Sequence, residues 1–145
     1  MVDAVATRSA EFHHRINVRW SDCDPAKIAF TGRIPYFALE AIDAWWAASI
    51  DDDWYRMNVD KDIGTPFVHM SIDLKVPVTP RHALLCDVKL LAMGDSSVTL
   101  FVTGRQDGSV CFEGKFVEVF VVASEHRKIP IPAKIREKLH EMLPP

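Results

Sequence analysis

The chain has 145 residues, 48% of them hydrophobic and 26% charged, with a formal net charge of −3. That is one ordinary domain with enough apolar mass for a core, and the slightly acidic balance argues against bulk nucleic-acid binding, so no nucleic-acid partner is expected. Three widely spaced cysteines, Cys23, Cys86 and Cys111, form no CxxC pair and suggest neither a zinc site nor a disulfide framework, which makes a reducing cytoplasm the expected compartment.

Residues 1–10 read as a loose leader without a signal-peptide core, and no apolar run is long enough to cross a bilayer, so no membrane partner is expected. Phe12, His14, Ile16, Val18 and Trp20 then alternate with polar residues, the pattern of a strand with one buried face. It stops at Ser21-Asp22-Cys23-Asp24-Pro25, where Asp-Pro starts a turn. From about Gly32 to Ile50, Ile34, Phe37, Ala38, Ala41, Ile42 and Trp45 recur at three- and four-residue spacing and predict a helix, with Thr31 as N-cap and Pro35 in the first turn. Trp46 and Ala47 make this helix apolar nearly all round, so burial on most sides is expected. Trp54 to Ile63 reads only as an irregular short helix, and Gly64-Thr65-Pro66 as a break. Strands follow at Phe67–Val76, Leu84–Met93, Ser97–Thr103 and Val110–Val122, with Asp107-Gly108 marking a hairpin between the last two. Apolar residues on both faces of the last strand predict that it is central and covered on both sides. A final helix is expected over Ala133–Leu143. This order predicts an α+β fold in a single domain over residues 1–145: an antiparallel five-stranded sheet wrapped around one long helix.

Two segments carry a resemblance. Trp20-Ser21-Asp22-Cys23-Asp24-Pro25-Ala26-Lys27-Ile28-Ala29-Phe30 is similar to the active-site loop of hotdog-fold acyl-CoA thioesterases of the 4-hydroxybenzoyl-CoA thioesterase-like family, and Gly64-Thr65-Pro66 resembles that family's entry into its second strand. Gly94-Asp95-Ser96-Ser97 and Arg127-Lys128-Ile129-Pro130-Ile131-Pro132 match more diffusely, so that the likeness spans about residues 12–135. The resemblance implies a hotdog fold and hydrolysis of an acyl-CoA, aromatic and benzoyl- or hydroxybenzoyl-like, to free acid and CoA. Asp24 falls on the family's catalytic aspartate, and the backbone N–H of Thr31 on the group that polarises the thioester carbonyl. Arg127, with Lys128 beside it, falls on a basic residue that contacts CoA phosphates, and Ser97 on the serine after the family's turn. His69, close to the Gly-Thr-Pro break, is a candidate lining residue of the acyl pocket. The resemblance further implies a homodimer or homotetramer with shared active sites, and no cofactor beyond the coenzyme A of the substrate.

Two departures bear on substrate. Lys27 stands where the family commonly has glycine. Leu39 stands where the bacterial 4-hydroxybenzoyl enzymes place an aspartate on the substrate's ring hydroxyl, with Glu40 one residue later. Leucine cannot accept that hydrogen bond, which favours a less polar ring such as benzoyl.

The chemistry suits these residues. A helix N-terminus offers unpaired N–H donors and a positive dipole end to a developing oxyanion. An ionised aspartate can attack the thioester or act as general base on water, and both routes stay open. Asp22 reads as a loop or capping residue, Cys23 as a small buried thiol, and Glu40 as a buried polar partner. His13, His14 and His69 with Asp22 lack metal-ligand spacing, so no metal is expected. Two alternatives remain: a hotdog dehydratase or hydratase, which lacks its usual histidine between Asp24 and Ile50, and a non-catalytic acyl-CoA-binding hotdog protein, which has no need of Asp24.

Overall fold

Period-two apolar patterning folds five segments into one antiparallel sheet, and the long apolar helix covers one face of it. A computed structural model describes residues 12–145; the leader expected over residues 1–10 lies outside them. In chain order the elements are β1 Phe12–Ile16, a 3₁₀ turn at Trp20–Asp22, α1 Arg33–Ile50, α2 Trp54–Lys61, β2 Ile63–Gly64, β3 Phe67–Leu74, β4 Leu84–Met93, β5 Ser97–Gln106, β6 Ser109–Val119, β7 Val121–Val122, β8 Arg127–Lys128 and α3 Ala133–His140. The five-stranded sheet has the order β1-β4-β5-β6-β3, antiparallel throughout.

Val98, Leu100 and Val102 of β5 and Phe112 and Phe116 of β6 are buried on the face that meets α1, against Phe37, Ala38, Ala41, Ile42, Trp45 and Trp46. Each side chain of this size contributes about 1.5–3 kcal/mol on full burial, so the α1 face is the main source of stability. Gly104 is part of the fit. A Cβ there would lie 2.2 Å from the Phe112 ring, so only glycine lets that ring lie across β5. The arrangement is the α+β hotdog expected from the sequence.

Several elements differ from their expected spans, each for a local reason. The first strand ends at Ile16 rather than Trp20, because Asp22 accepts the Arg19 N–H at 2.9 Å and turns the chain into the 3₁₀ turn. The segment after α1 is a regular helix, α2, started by Asp53, whose side chain accepts the Arg56 N–H at 2.8 Å. The long last strand is interrupted at Phe120, whose N–H donates to Ser96 (2.8 Å) and whose carbonyl accepts from Ile129 (3.0 Å). That junction diverts β7 into a small second sheet, β2-β7-β8. β6 is central as expected, but Val117 and Val119 on its outer face are half-buried rather than covered. The final helix stops at His140.

β3 contains a bulge between Phe67 and His69: Phe67 stands opposite Glu118 and His69 opposite Val117, leaving Val68 as the extra residue. A bulge shifts the phase of the alternation. Phe67 therefore faces the helix together with Met70 and Ile72, and His69 faces outward. Among the described residues no helix is long and apolar enough to cross a membrane.

Candidate active site

Between β1 and α1 the chain makes a tight hairpin. Cys23 bridges Ala29, and the Phe30 N–H donates to the Asp22 carbonyl at 2.8 Å. At its tip the Lys27 N–H donates to the Asp24 carbonyl (2.9 Å) and the Asp24 N–H to the Ile28 carbonyl (3.1 Å). Pro25 supplies the fixed φ suited to the second position of such a turn. Lys27 takes the left-handed backbone, with φ of 66°. A turn followed by one left-handed residue is a common three-residue hairpin loop, and glycine occupies that last position without strain. The departure at Lys27 is thus a backbone cost of about 1 kcal/mol rather than a change of loop shape, with its side chain exposed.

The Asp24 side chain is fixed by the same loop. Its Oδ1 accepts the Ala26 N–H at 2.8 Å, and Oδ2 has no hydrogen-bond partner among the described residues. Asp22 anchors the hairpin. It is buried, its Oδ2 takes the Arg19 N–H, and its Oδ1 accepts Arg33 Nε at 3.0 Å and Nη2 at 2.7 Å. Arg33 is the first residue of α1, so this ion pair ties the hairpin to the helix start. Cys23 is half-buried, its Sγ 3.7 Å from the Arg19 carbonyl, with no base beside it among the described residues.

The helix start itself is open. Gly32, not Thr31, is the N-cap, and among the described residues no side chain caps the first turn. The N–H groups of Thr31 and Gly32 have no partner among the described residues. The Phe30 ring folds over Gly32 so closely that a Cβ there would sit 2.6 Å from its edge. Asp24 and the Thr31 N–H therefore belong to one braced loop.

The other expected site residues lie elsewhere. The hairpin packs at the end of the sheet where Ala29 donates to Val78 and Thr79 pairs with Gln106. Ser97 starts β5 at the opposite end, nine residue steps away, roughly 30 Å at strand spacing. Arg127 and Lys128 are exposed on β8, beside β7, at that far end. Arg127 Nε donates to Glu125 at 2.8 Å. His69 stands opposite Val117, also toward the far end, and points out of the sheet. One chain thus brings together Asp24 and Thr31, and separately Ser97, Arg127 and Lys128, but not the two groups. Glu40, expected to be buried, is exposed and pairs with His14 Nε2 at 2.7 Å.

Leu39 lies on a different face of α1 and lines a cavity of about 290 Å³ with Trp54, Thr65, Pro66, Phe67 and Val121. His69, on the outward face of β3, is not among the residues lining this cavity, whereas Phe67 is.

The sequence model of the thioesterase-like superfamily matches residues 18–139. The chain belongs to this superfamily. A thioesterase-superfamily protein of known structure from Jannaschia sp. CCS1 is 45% identical, over 94% of this chain and 95% of its own, with a TM-score of 0.90. A 1,4-dihydroxy-2-naphthoyl-CoA thioesterase from Synechocystis shares the fold at 19% identity, over 90% of this chain and 96% of its own, with a TM-score of 0.80. A gentisyl-coenzyme A thioesterase shares it at 22% identity, over 86% and 99%, with a TM-score of 0.78. A search of curated proteins found no match. The chain is a thioester hydrolase.

In this thioesterase one buried group has no counterpart in the sequence reading. Glu118 is fully buried; its Oε2 accepts Trp46 Nε1 and its Oε1 accepts Trp54 Nε1, each at 3.1 Å. Burial pushes its carboxyl from 4.5 up to about 7, aided by the charge of Asp43 and opposed by Thr65 and the two indoles. The Thr65 hydroxyl is close enough to act on that carboxyl, yet it is buried without a partner in good hydrogen-bond geometry. A larger groove of about 700 Å³ runs between α1, α2 and α3, lined by Asp52, Lys61, Lys134 and Lys138 among others. It includes neither the hairpin nor the Gly-Thr-Pro segment, so it does not belong to the site.

Proposed function

We propose that this thioesterase hydrolyses an acyl-CoA, with an aromatic, benzoyl- or hydroxybenzoyl-like acyl group, to the free acid and coenzyme A. The observation that carries the reading is the braced hairpin, which combines a carboxylate oxygen of Asp24 left free with uncapped N–H groups at Thr31 and Gly32. The thioester carbonyl oxygen lies at the Thr31 N–H. Asp24 either attacks the carbonyl carbon, releasing the CoA thiolate and leaving an anhydride for water to cleave, or takes a proton from the water that attacks. In both routes charge builds on the carbonyl oxygen, where one well-placed donor contributes roughly 3–4 kcal/mol. The apolar side chain of Leu39 supports a ring without a polar group at that point.

In this reading the working form is a homodimer or homotetramer. β3 is an open edge, and Met70 and Leu74 on its helix side are 40% and 56% exposed. A second copy packed antiparallel on that edge carries its Arg127, Lys128 and Ser97, and with them its cavity beside Leu39 and Phe67, toward the Asp24 end of the first, where the cations hold CoA phosphates and the cavity receives the acyl group. No cofactor is assigned beyond the CoA of the substrate, and the three free cysteines favour a reducing cytoplasm. The decisive assay is Asp24→Asn against benzoyl-CoA and hydroxybenzoyl-CoA: a loss of at least about 10²-fold in kcat is expected. An undiminished rate would overturn the mechanism.

A further inference from the structure

The cavity beside Leu39 has one wall that is held by a group outside it. Trp54 is the first residue of α2, and it is fixed twice: its backbone N–H donates to Asp43 Oδ1 and its indole N–H to Glu118 Oε1, each at 3.1 Å. Its ring meets Phe67 edge to face, with centroids 5.8 Å apart at 85°, and Phe67 meets Phe116 at 6.2 Å and 76°. On the other side of Glu118, Trp46 donates its indole N–H and packs edge to face on Phe120 at 5.9 Å. Glu118 thus sits at the junction of α1, α2 and β6, and stands opposite Phe67 across the sheet.

Burying a carboxyl costs several kcal/mol unless hydrogen bonds compensate. A leucine of similar size would fill the space more cheaply. What a carboxylate uniquely offers here is two acceptor oxygens, one for each of two indole donors. Its contribution is therefore orientation. The cavity it shapes is mainly apolar, and its aromatic wall consists of Trp54 and Phe67. The cavity is open on one side, and its volume of about 290 Å³ gives room for a substituted ring or two fused rings laid against that wall. Edge-to-face contact with fixed rings favours a flat aromatic guest over a flexible chain.

We propose that Glu118 is a positioning residue: by accepting both indole N–H groups it holds Trp54 as a rigid wall of the Leu39 cavity and gives the enzyme a preference for flat aromatic acyl groups over straight chains. This inference rests on the acyl-CoA hydrolase reading above, including the antiparallel pairing of two copies that brings the cavity to Asp24, and deepens it.

The test is a selectivity ratio. kcat and KM are measured for benzoyl-, naphthoyl- and hexanoyl-CoA with the wild type, Glu118→Gln and Trp54→Phe. Glutamine keeps one acceptor and sets a donor against the other indole; phenylalanine keeps a ring but removes the N–H. The wild type should favour the aromatic esters. Both variants should lose about tenfold of the aryl-to-hexanoyl ratio in kcat/KM, through a higher KM for the aromatic esters at a kcat kept within about threefold. A purely structural role lowers all three substrates alike and leaves the ratio where it was, which overturns the proposal. If Glu118→Gln does not fold, the Trp54→Phe ratio decides alone. A wild type that hydrolyses all three esters equally well refutes this inference and leaves the hydrolase reading standing, whereas a fully active Asp24→Asn refutes the mechanism and leaves the ratio intact.

Discussion

The buried Glu118 makes stability depend on pH in an unusual direction. Its carboxyl is raised from 4.5 to about 7, chiefly by burial, so between those values the folded chain holds a proton that the unfolded chain has released. Stability then falls as pH rises through this window and levels off above it. The size follows from the shift, about 3 kcal/mol in all, at roughly 1.4 kcal/mol for each pH unit. Asp52 acts in a separate window: burial raises its carboxyl, but the Lys61 hydrogen bond, the Asp53 N–H and the charges of Lys61 and Arg56 outweigh this and lower it from 3.8. Its stabilisation is therefore lost only as the pH drops below that value. Glu118→Gln isolates the first effect. At pH 5 the variant should be less stable by about 1–3 kcal/mol, because the amide NH₂ opposes one indole N–H. At pH 8, where the wild type has lost its share, the variant should match or exceed it. Urea unfolding at pH 5, 6, 7 and 8 measures the gap directly. A gap that stays constant within about 0.5 kcal/mol from pH 5 to 8 refutes the reasoning, since the pH term for this one group is then absent.

The remaining predictions concern the hairpin and the core. Asp22→Ala removes the acceptor for Arg19 and Arg33. It should cost about 2–3 kcal/mol in denaturant unfolding and lower kcat about tenfold as the helix start drifts from Asp24. Lys27→Gly relieves the left-handed strain, partly offset by a looser unfolded chain, and should raise stability by up to about 1 kcal/mol with kcat unchanged. A lower Tm there would contradict the hairpin geometry. Gly104→Ala should cost about 2–3 kcal/mol by forcing the Phe112 ring aside. Adding Phe112→Leu should recover part of the loss, and simple additivity in the double variant would argue against the contact.

Much of this molecule can be read from spacing. The three- and four-residue recurrence from Ile34 to Trp45 and the alternation in β4 and β5 respond to burial on one face, and that burial is what the fold supplies. The end of β1 is not readable that way, because its apolar alternation continues through Val18 and Trp20. The Asp22 side chain overrides it by holding a backbone N–H three residues back. His69 shares the alternation of Phe67 in the sequence, and only the bulge at Val68, a backbone event without a residue signature of its own, separates their faces. Glu118 did leave a mark: it falls on the same parity as Phe112, Phe116 and Phe120, so a charge stood among core positions. The cap at Asp53, with Arg56 three residues on, likewise marked α2 as a true helix. The separation of Asp24 from Arg127 could not be seen locally, since it follows from which end of each strand carries which loop.

The bulge also governs how the open edge of the sheet behaves in a crowded solution. An unbroken edge strand is a template on which other chains can add and aggregate. Here the row of free backbone groups is interrupted at Val68, leaving a short straight run from His69 to Leu74 whose outward face carries His69, Ser71 and Asp73. A foreign strand finds only that short ladder, with little apolar surface on one side to reward it. The edge is selective by construction, closed to general β-sheet growth and open to a partner whose own shape repeats the interruption.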